Sequence, residues 1–493
     1  MRTLEEQLVD ASLDMGKALL LAGGEVTRVE DTITRILHAY GMHKVGVFTI
    51  TSLIEVTART PDGDEIVKAR RIVGGFTTNL NQVEQLNALS REICSSCPPP
   101  QEITARIITH KSMNNATTQS HIVWLDVIRT VAMLMVIGVH CIDPFYISPT
   151  LGSLPEYKHW AAVYGSLLRP SVPLFVMMTG LLLLPIREQS LGVFYKKRIY
   201  RVLFPFLIWS VLYNIFPWVT GLLGLPKEII GEFFCYVQGN ESQSLSDALK
   251  DIAMIPFNFS FKENHMWYIY LLIGLYLYMP FFSAWIEKAD RSKERVYLGI
   301  WFVSLFLPYM SAYISKYLYG EATWNQFGMF YYFAGFNGYL LLGHYLKQGN
   351  NWNIWKTFAI CAAMFVVGYA ITYSGFSSAA ANPKATELDM ELFFTFCSPN
   401  VVLMTAAVFI LLQKVRIHNT LIAKKLSKIS KYGFGIYIVH YFVVGPIFIL
   451  IGKFDLPIPL QVPIMALLIF IISWAFTWFM YRILGERAKW IMG

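Results

Sequence analysis

Charge is scarce in this 493-residue chain. Asp, Glu, Lys and Arg together make 15% of it, the hydrophobic set makes 55%, and the mean hydropathy is +0.44. That balance excludes an ordinary soluble protein over the whole length. Cysteine is scarce too, at six. Cys141, Cys235, Cys361 and Cys397 are scattered without ligand spacing, and Cys94 and Cys97 form one Cys-x-x-Cys before Pro98-Pro99-Pro100 with no second pair, so no metal site is expected. A secretory signal is missing as well: Met1 to Leu20 is amphipathic and carries Glu5, Glu6, Asp10 and Asp14, which predicts a cytoplasmic N-terminus. The formal charge is +8, but the basic residues cluster beside hydrophobic segments. This is the positive-inside pattern of a membrane protein, and no nucleic-acid partner is expected.

What the chain does have is long apolar runs, confined to the part after about Val123. A spanning helix needs roughly 20 apolar residues. Such runs occur near 123–143, 167–186, 202–224, 266–286, 296–315, 329–347, 355–374, 391–412, 433–452 and 463–484, which predicts about ten spans. Positive charge gathers in alternate loops: Arg187 with Lys196, Lys197, Arg198 and Arg201, then Lys288 to Arg295, Lys347 to Lys356, and Lys414 to Lys431. The opposite loops are poor in it, and the longest, about 225–265, holds Glu228, Glu232, Glu241 and Asp247. A multi-pass protein of the cytoplasmic membrane, with both termini inside, is the expectation. The fold class expected is a polytopic α-helical membrane protein with a small soluble α+β N-terminal domain.

Ionisable groups inside spans cost at least ~2.5 kcal/mol at mid-bilayer by insertion scales, so each asks for a partner or a purpose. The first span carries Asp126, Arg129 and His140. Three and eleven residues at about 100° each bring them onto one stripe, with Arg129 and His140 about 16 Å apart along the axis. Two readings stand. The stripe is an Asp126–Arg129 pair that fixes helix packing, with His140 satisfied near the outer interface; or it lines a polar cavity in which His140 is a general base toward a hydroxyl. Before the third span, Lys197, Arg198 and Arg201 read either as interfacial anchors or, with the two arginines one turn apart, as a site for a cytosolic polyphosphate such as coenzyme A. Arg169, just inside the second span, is a candidate contact to an acceptor.

Leu125-Asp126-Val127-Ile128-Arg129 with His140 beyond it is similar to the first helix of the acyltransferase-3 family of membrane acyltransferases, whose Arg-x10-His pattern is matched residue for residue. Four further blocks resemble that family in the same order: Val172-Pro173-Leu174-Phe175 to Gly180, with Thr179 where Ser is commoner; Arg198 and Arg201 followed by Pro205; His265-Met266-Trp267-Tyr268; and Gly435 to His440. The resemblance covers about 120–493 and is nearest to the surface-polysaccharide O-acetyltransferases. It implies transfer of an acyl group, acetyl in that branch, from cytosolic acyl-CoA to a sugar hydroxyl at the outer side. In that scheme Asp126, Arg129 and His140 carry the chemistry, and Lys197, Arg198 and Arg201 hold the donor. Arg169, His265, Trp267 and Tyr268 face a carbohydrate or glycolipid acceptor, although an interfacial aromatic belt explains the last group as well. His344 and His440 read as packing residues.

Residues 1–95 read as the α+β domain. Helices are predicted near 3–22, 25–40 and 79–93, with Gly41 as a cap, and strands near 45–50, 53–59 and 65–72 around a Pro61-Asp62-Gly63-Asp64 turn. Leu20 to Asp31, with Arg70-Arg71-Ile72 and Asn79-Leu80, resembles the cytoplasmic region of threonine/serine exporters. An exporter-related membrane protein is therefore the alternative to the enzyme. Residues 96–121, rich in Ser, Pro and Thr, read as a flexible linker. Within them Met113 would serve as an independent start, so the membrane domain 122–493 is expected to be self-sufficient.

Overall fold

A computed structural model describes residues 3–72, 80–147, 151–186, 190–224, 243–382, 384–454 and 456–493. Asn79, Arg187, Glu228, Glu232, Cys235 and Glu241 fall outside the described residues. The chain divides into two units, Met1–Ile122 and Val123–Gly493.

The front unit is α+β. Helix α1 (Leu4–Leu21) starts on Thr3, whose side chain accepts from the Glu6 amide in a capping box. Helix α2 (Val26–Ala39) is closed by Gly41 at φ 81, the left-handed conformation that glycine adopts without cost. Strands β1 (His43–Ile50), β2 (Leu53–Arg59) and β3 (Glu65–Arg71) form an antiparallel sheet in the order β1-β2-β3. Helix α3 (Leu80–Ser96) follows. Ile54, Val56 and Ala58 of the central strand share one core with Leu13, Leu19, Ile33, Ile36 and Leu89 of the helices. At its edge Lys68 Nζ reaches Asp10 at 2.8 Å and Arg70 Nη1 reaches Asp14 at 2.6 Å, tying β3 to α1.

From Pro100 onward the polar stretch 96–121 is helical, as part of α4 (Pro100–Ile147). Pro100 occupies the first turn, where its missing N–H costs nothing, and no glycine or further proline interrupts the chain before Gly138. Its Ser, Thr and Asn residues lower helix propensity without breaking the helix.

Among the described residues nine helices of the second unit are long and apolar enough to cross a membrane, the first being Val123–Phe145 of α4. The second is made of α5 (Pro155–Leu168) and α6 (Ser171–Leu183), broken at Arg169-Pro170. Then come α7 (Leu191–Leu222), α8 (Trp267–Lys288) opened by a 3-10 turn over Phe261–Met266, and α9 (Arg291–Ser304), continued to Tyr313 by the short helix Leu307–Tyr313. The remainder are built on α11 (Ile354–Ala381), α12 (Pro399–Leu412), α14 (Gly433–Gly452) and α15 (Ile458–Leu484), with the basic helix α13 (Thr420–Lys431) before α14.

The segment expected to span over 329–347 keeps only a short helix, α10 (Asn337–Tyr345), of 9 residues. At 1.5 Å per residue it extends about 14 Å, half the ~30 Å hydrocarbon core. Phe327 at φ 63 and Gly335 at φ 96 turn the chain ahead of it. Its place against α6 is fixed by two glycines. A Cβ on Gly343 would lie 2.0 Å from the Met177 carbonyl oxygen, and one on Gly180 would lie 2.0 Å from that of Leu340. Close backbone approach through small residues is how helices associate where lipid removes the hydrophobic drive. Gly343→Val is accordingly expected to cost about 1–3 kcal/mol or more, since backbone must move. A clear fall in apparent melting temperature in detergent checks this, and an unchanged one contradicts it.

Candidate active site

Arg129 and Asp126 sit one turn apart on the first span, and Arg129 Nη1 donates to Asp126 Oδ1 at 3.2 Å. The same nitrogen donates to the Ser430 hydroxyl at the end of α13. Asp126 is buried, where a carboxylate needs such a partner, while the partly exposed Arg129 opens onto the space beside it. Beside Arg129 opens a cleft of about 350 Å³. Arg129, Arg201 of α7 and Lys431 of α13 bring three cations to it, while Met133, Val136, Phe175 and Phe434 line it with apolar surface. Tyr268 and Tyr437 also line it. Thus Arg201, of the three residues expected to hold a donor, reaches the cleft. Arg198 is half-buried and Lys197 exposed, and neither lines it.

Eleven residues further along the same helix, His140 Nδ1 lies 2.8 Å from Asp143 Oδ2. The i, i+3 spacing that stacks side chains on one helical face makes this pair. Pro144 follows at once and removes the amide that would otherwise bond the His140 carbonyl. Two more imidazoles close on His140: His440 of α14, with ring centroids 5.3 Å away, and His265 of the turn before α8, at 6.4 Å. His265 and His440 are themselves 5.2 Å apart. Both are buried, and neither His265 nitrogen nor His440 Nε2 has a hydrogen-bond partner among the described residues.

Tyr437 joins the cleft to this cluster. Its ring lines the cleft, its hydroxyl donates to the His265 carbonyl, and its own carbonyl meets His440 Nδ1. Behind His265, Tyr213 packs with ring centroids 5.1 Å apart, and Asn214 Nδ2 donates to Glu263 Oε1 at 2.8 Å.

The remaining expected residues lie elsewhere. The Arg169 guanidinium is 4.2 Å from the Phe394 ring and 5.5 Å from that of Phe396, and donates to the carbonyls of Gly165 and Phe394. Trp267 stacks on Phe396 at 5.7 Å. Arg169 and Trp267 therefore meet around Phe394 and Phe396, apart from His140. Asp143, His440, Glu263 and Lys431 are the polar groups that sequence reasoning did not single out for the site. The His-x-x-Asp spacing was a usable signal for Asp143. His440 closes a block that resembles the family, but its company comes from other helices, so no local spacing marked it. His344, also read as packing, has Nε2 3.4 Å from Glu294 Oε1. Among the described residues no group of three or more His, Cys, Asp or Glu side chains is disposed to hold a metal ion.

Comparison with known proteins gives two family matches. A profile described as an acyltransferase domain matches residues 122–478, and one described as a putative threonine/serine exporter matches residues 10–146. No curated protein and no solved structure matches. The first match spans most of the chain and contains the cleft, the His140–Asp143 pair and both partner histidines. By that match the chain belongs to the acyltransferase-3 family of multi-pass membrane acyltransferases, and it carries ahead of this domain a region similar to threonine/serine exporters.

Proposed function

We propose that the membrane unit is an O-acetyltransferase of the cytoplasmic membrane that moves an acetyl group from cytosolic acetyl-CoA to a hydroxyl of a cell-envelope carbohydrate or glycolipid. The observation that carries this reading is the pairing of His140 with Asp143, about 16 Å along one helix from Arg129, one of three cations in a cleft whose wall extends along that helix to Val136. The cations sit beside the basic segments that positive-inside charge assigns to the cytosol. An even number of passages, with both termini inside, requires the stretch through Asn337–Tyr345 to complete one of them.

The chemistry follows from the two ends. Asp143 holds a proton on His140 Nδ1, which makes Nε2 the basic nitrogen. Nε2 takes the proton of the acceptor hydroxyl as its oxygen attacks the thioester carbonyl; the C–S bond then breaks and CoA leaves. Arg129, anchored by Asp126 and Ser430, meets the donor together with Arg201 and Lys431. The apolar wall between them suits a pantetheine arm better than it suits phosphate. His265, beside His140 and His440, serves the acceptor, and Arg169 and Trp267 serve it from the aromatic patch around Phe394 and Phe396; Tyr268, expected to join them, lines the donor cleft. No metal takes part in this scheme.

Membrane vesicles given acetyl-labelled acetyl-CoA on the cytosolic side test it. Label in carbohydrate supports the reading, and label that stays in CoA opposes it. The front unit has its own core and ion pairs, so it folds without help from the bundle. Residues 113–493 alone are expected to restore acetylation in cells lacking the full gene. A stable, inserted truncation that transfers nothing would show that the front unit takes part.

A further inference from the structure

Next to the cleft lies a second cavity of about 370 Å³. Its walls are Lys428 and Lys431 of α13, Tyr432, and Trp478, Tyr481 and Arg482 at the end of α15. Lys431 lines both cavities, and Arg201 interacts electrostatically with Arg129 of one and Tyr481 of the other, so the two are neighbours at the basic end of the bundle. Both join three cations to aromatic faces, and the cleft adds an aliphatic wall of Met133, Val136 and Leu272 that this cavity lacks. Tyr432 and Tyr481 lie 5.1 Å apart, and Lys431 Nζ is 6.0 Å from the Tyr481 ring. Glu486 on its rim is paired with Lys489, and among the described residues Lys428, Lys431 and Arg482 make no ion pair.

Three cations against one carboxylate, set beside aromatic rings, fit a ligand that carries several phosphates and a flat base. Resting on the reading that the donor is a CoA thioester, we propose that this cavity is the nucleotide subsite: it takes the 3′-phosphorylated adenosine diphosphate head, while the pantetheine arm passes Lys431 into the cleft. Lys428 and Arg482 meet the phosphates, and the adenine stacks on Trp478 or Tyr481. The volume lies within the usual range for a small-ligand site. A single chain crossing both cavities explains why the same lysine lines each.

Calorimetry on the full chain in neutral detergent tests this with CoA, dephospho-CoA and adenosine 3′,5′-bisphosphate. The wild type is expected to prefer CoA over dephospho-CoA, and the bisphosphate is expected to displace CoA. The double variant Lys428→Gln, Arg482→Gln should bind CoA roughly tenfold more weakly or worse. It should lose the preference for the 3′-phosphate and show a raised donor KM with kcat retained; Lys428→Arg should behave as wild type. A double variant with unchanged CoA affinity overturns the nucleotide subsite and leaves the donor reading intact. So does wild-type protein from which the bisphosphate fails to displace CoA, a result independent of any variant's folding. Wild-type protein that binds no CoA at all overturns both.

Discussion

His140→Ala is expected to remove acyl transfer, by about 10²- to 10⁴-fold, the range a positioned general base supplies. The helix survives the change because alanine is the best helix former. What is lost is the only imidazole whose Nδ1 is held by a carboxylate among the described residues, Asp143 at 2.8 Å. The variant also leaves Asp143 partly buried without its partner, which costs stability on its own account. His140→Gln separates the two effects, since its amide can still donate to Asp143 but has no basic nitrogen. Both variants should be inactive, and the glutamine variant should insert and elute as wild type does. Retained activity in either would remove His140 from the chemistry and return the stripe on the first span to a packing role.

Arg201→Ala is expected to weaken donor binding by roughly 1.5–3 kcal/mol, the scale of a hydrogen bond to a charged group, or about 10- to 100-fold in Kd. Arg201 and Lys197 are both exposed on the same helix, but only Arg201 lines the cleft with Arg129 and Lys431. Lys197→Ala therefore serves as the comparison and should change donor Kd by no more than about twofold, as an exposed charge outside the cleft does. Arg198, which also misses the cleft wall, should fall between them. Equal losses for Arg201 and Lys197 would mean that the basic segment acts only through its net charge at the membrane surface.

Much of this architecture was legible in the sequence because it rests on local rules. The apolar runs, the capping residues and the period-two strands place the front sheet within about two residues and locate nine long helices, of which the second and third begin about a dozen residues before their apolar runs. The exception is Asn337–Tyr345, where composition promised a full span. Hydropathy reads transfer into an apolar setting and does not distinguish lipid from the interior of a bundle, and the turn at Phe327 and the glycine contacts with α6 are not visible in it.

Counting made the site legible only along a single helix, and Arg201 and His265 entered from elsewhere, through the basic run before the third span and the family resemblance. Asp126, Arg129 and His140 could be placed on one stripe by counting, but His440 and Lys431 reach the site from helices some 300 residues later. Arg169 could likewise be picked out as a lone arginine within a span, whereas its packing on the Phe394 ring, more than 200 residues later, could not.

Mass spectrometry of envelope carbohydrates tests the central claim most directly, with samples from cells lacking this gene and from the same cells given either the wild-type chain or His140→Gln. The account predicts that the wild type adds acetyl units to a defined sugar and that the variant, present in the membrane at equal amount, adds none. Carbohydrates unchanged in all three samples, together with threonine or serine efflux that follows the wild-type gene, would contradict it and favour the exporter.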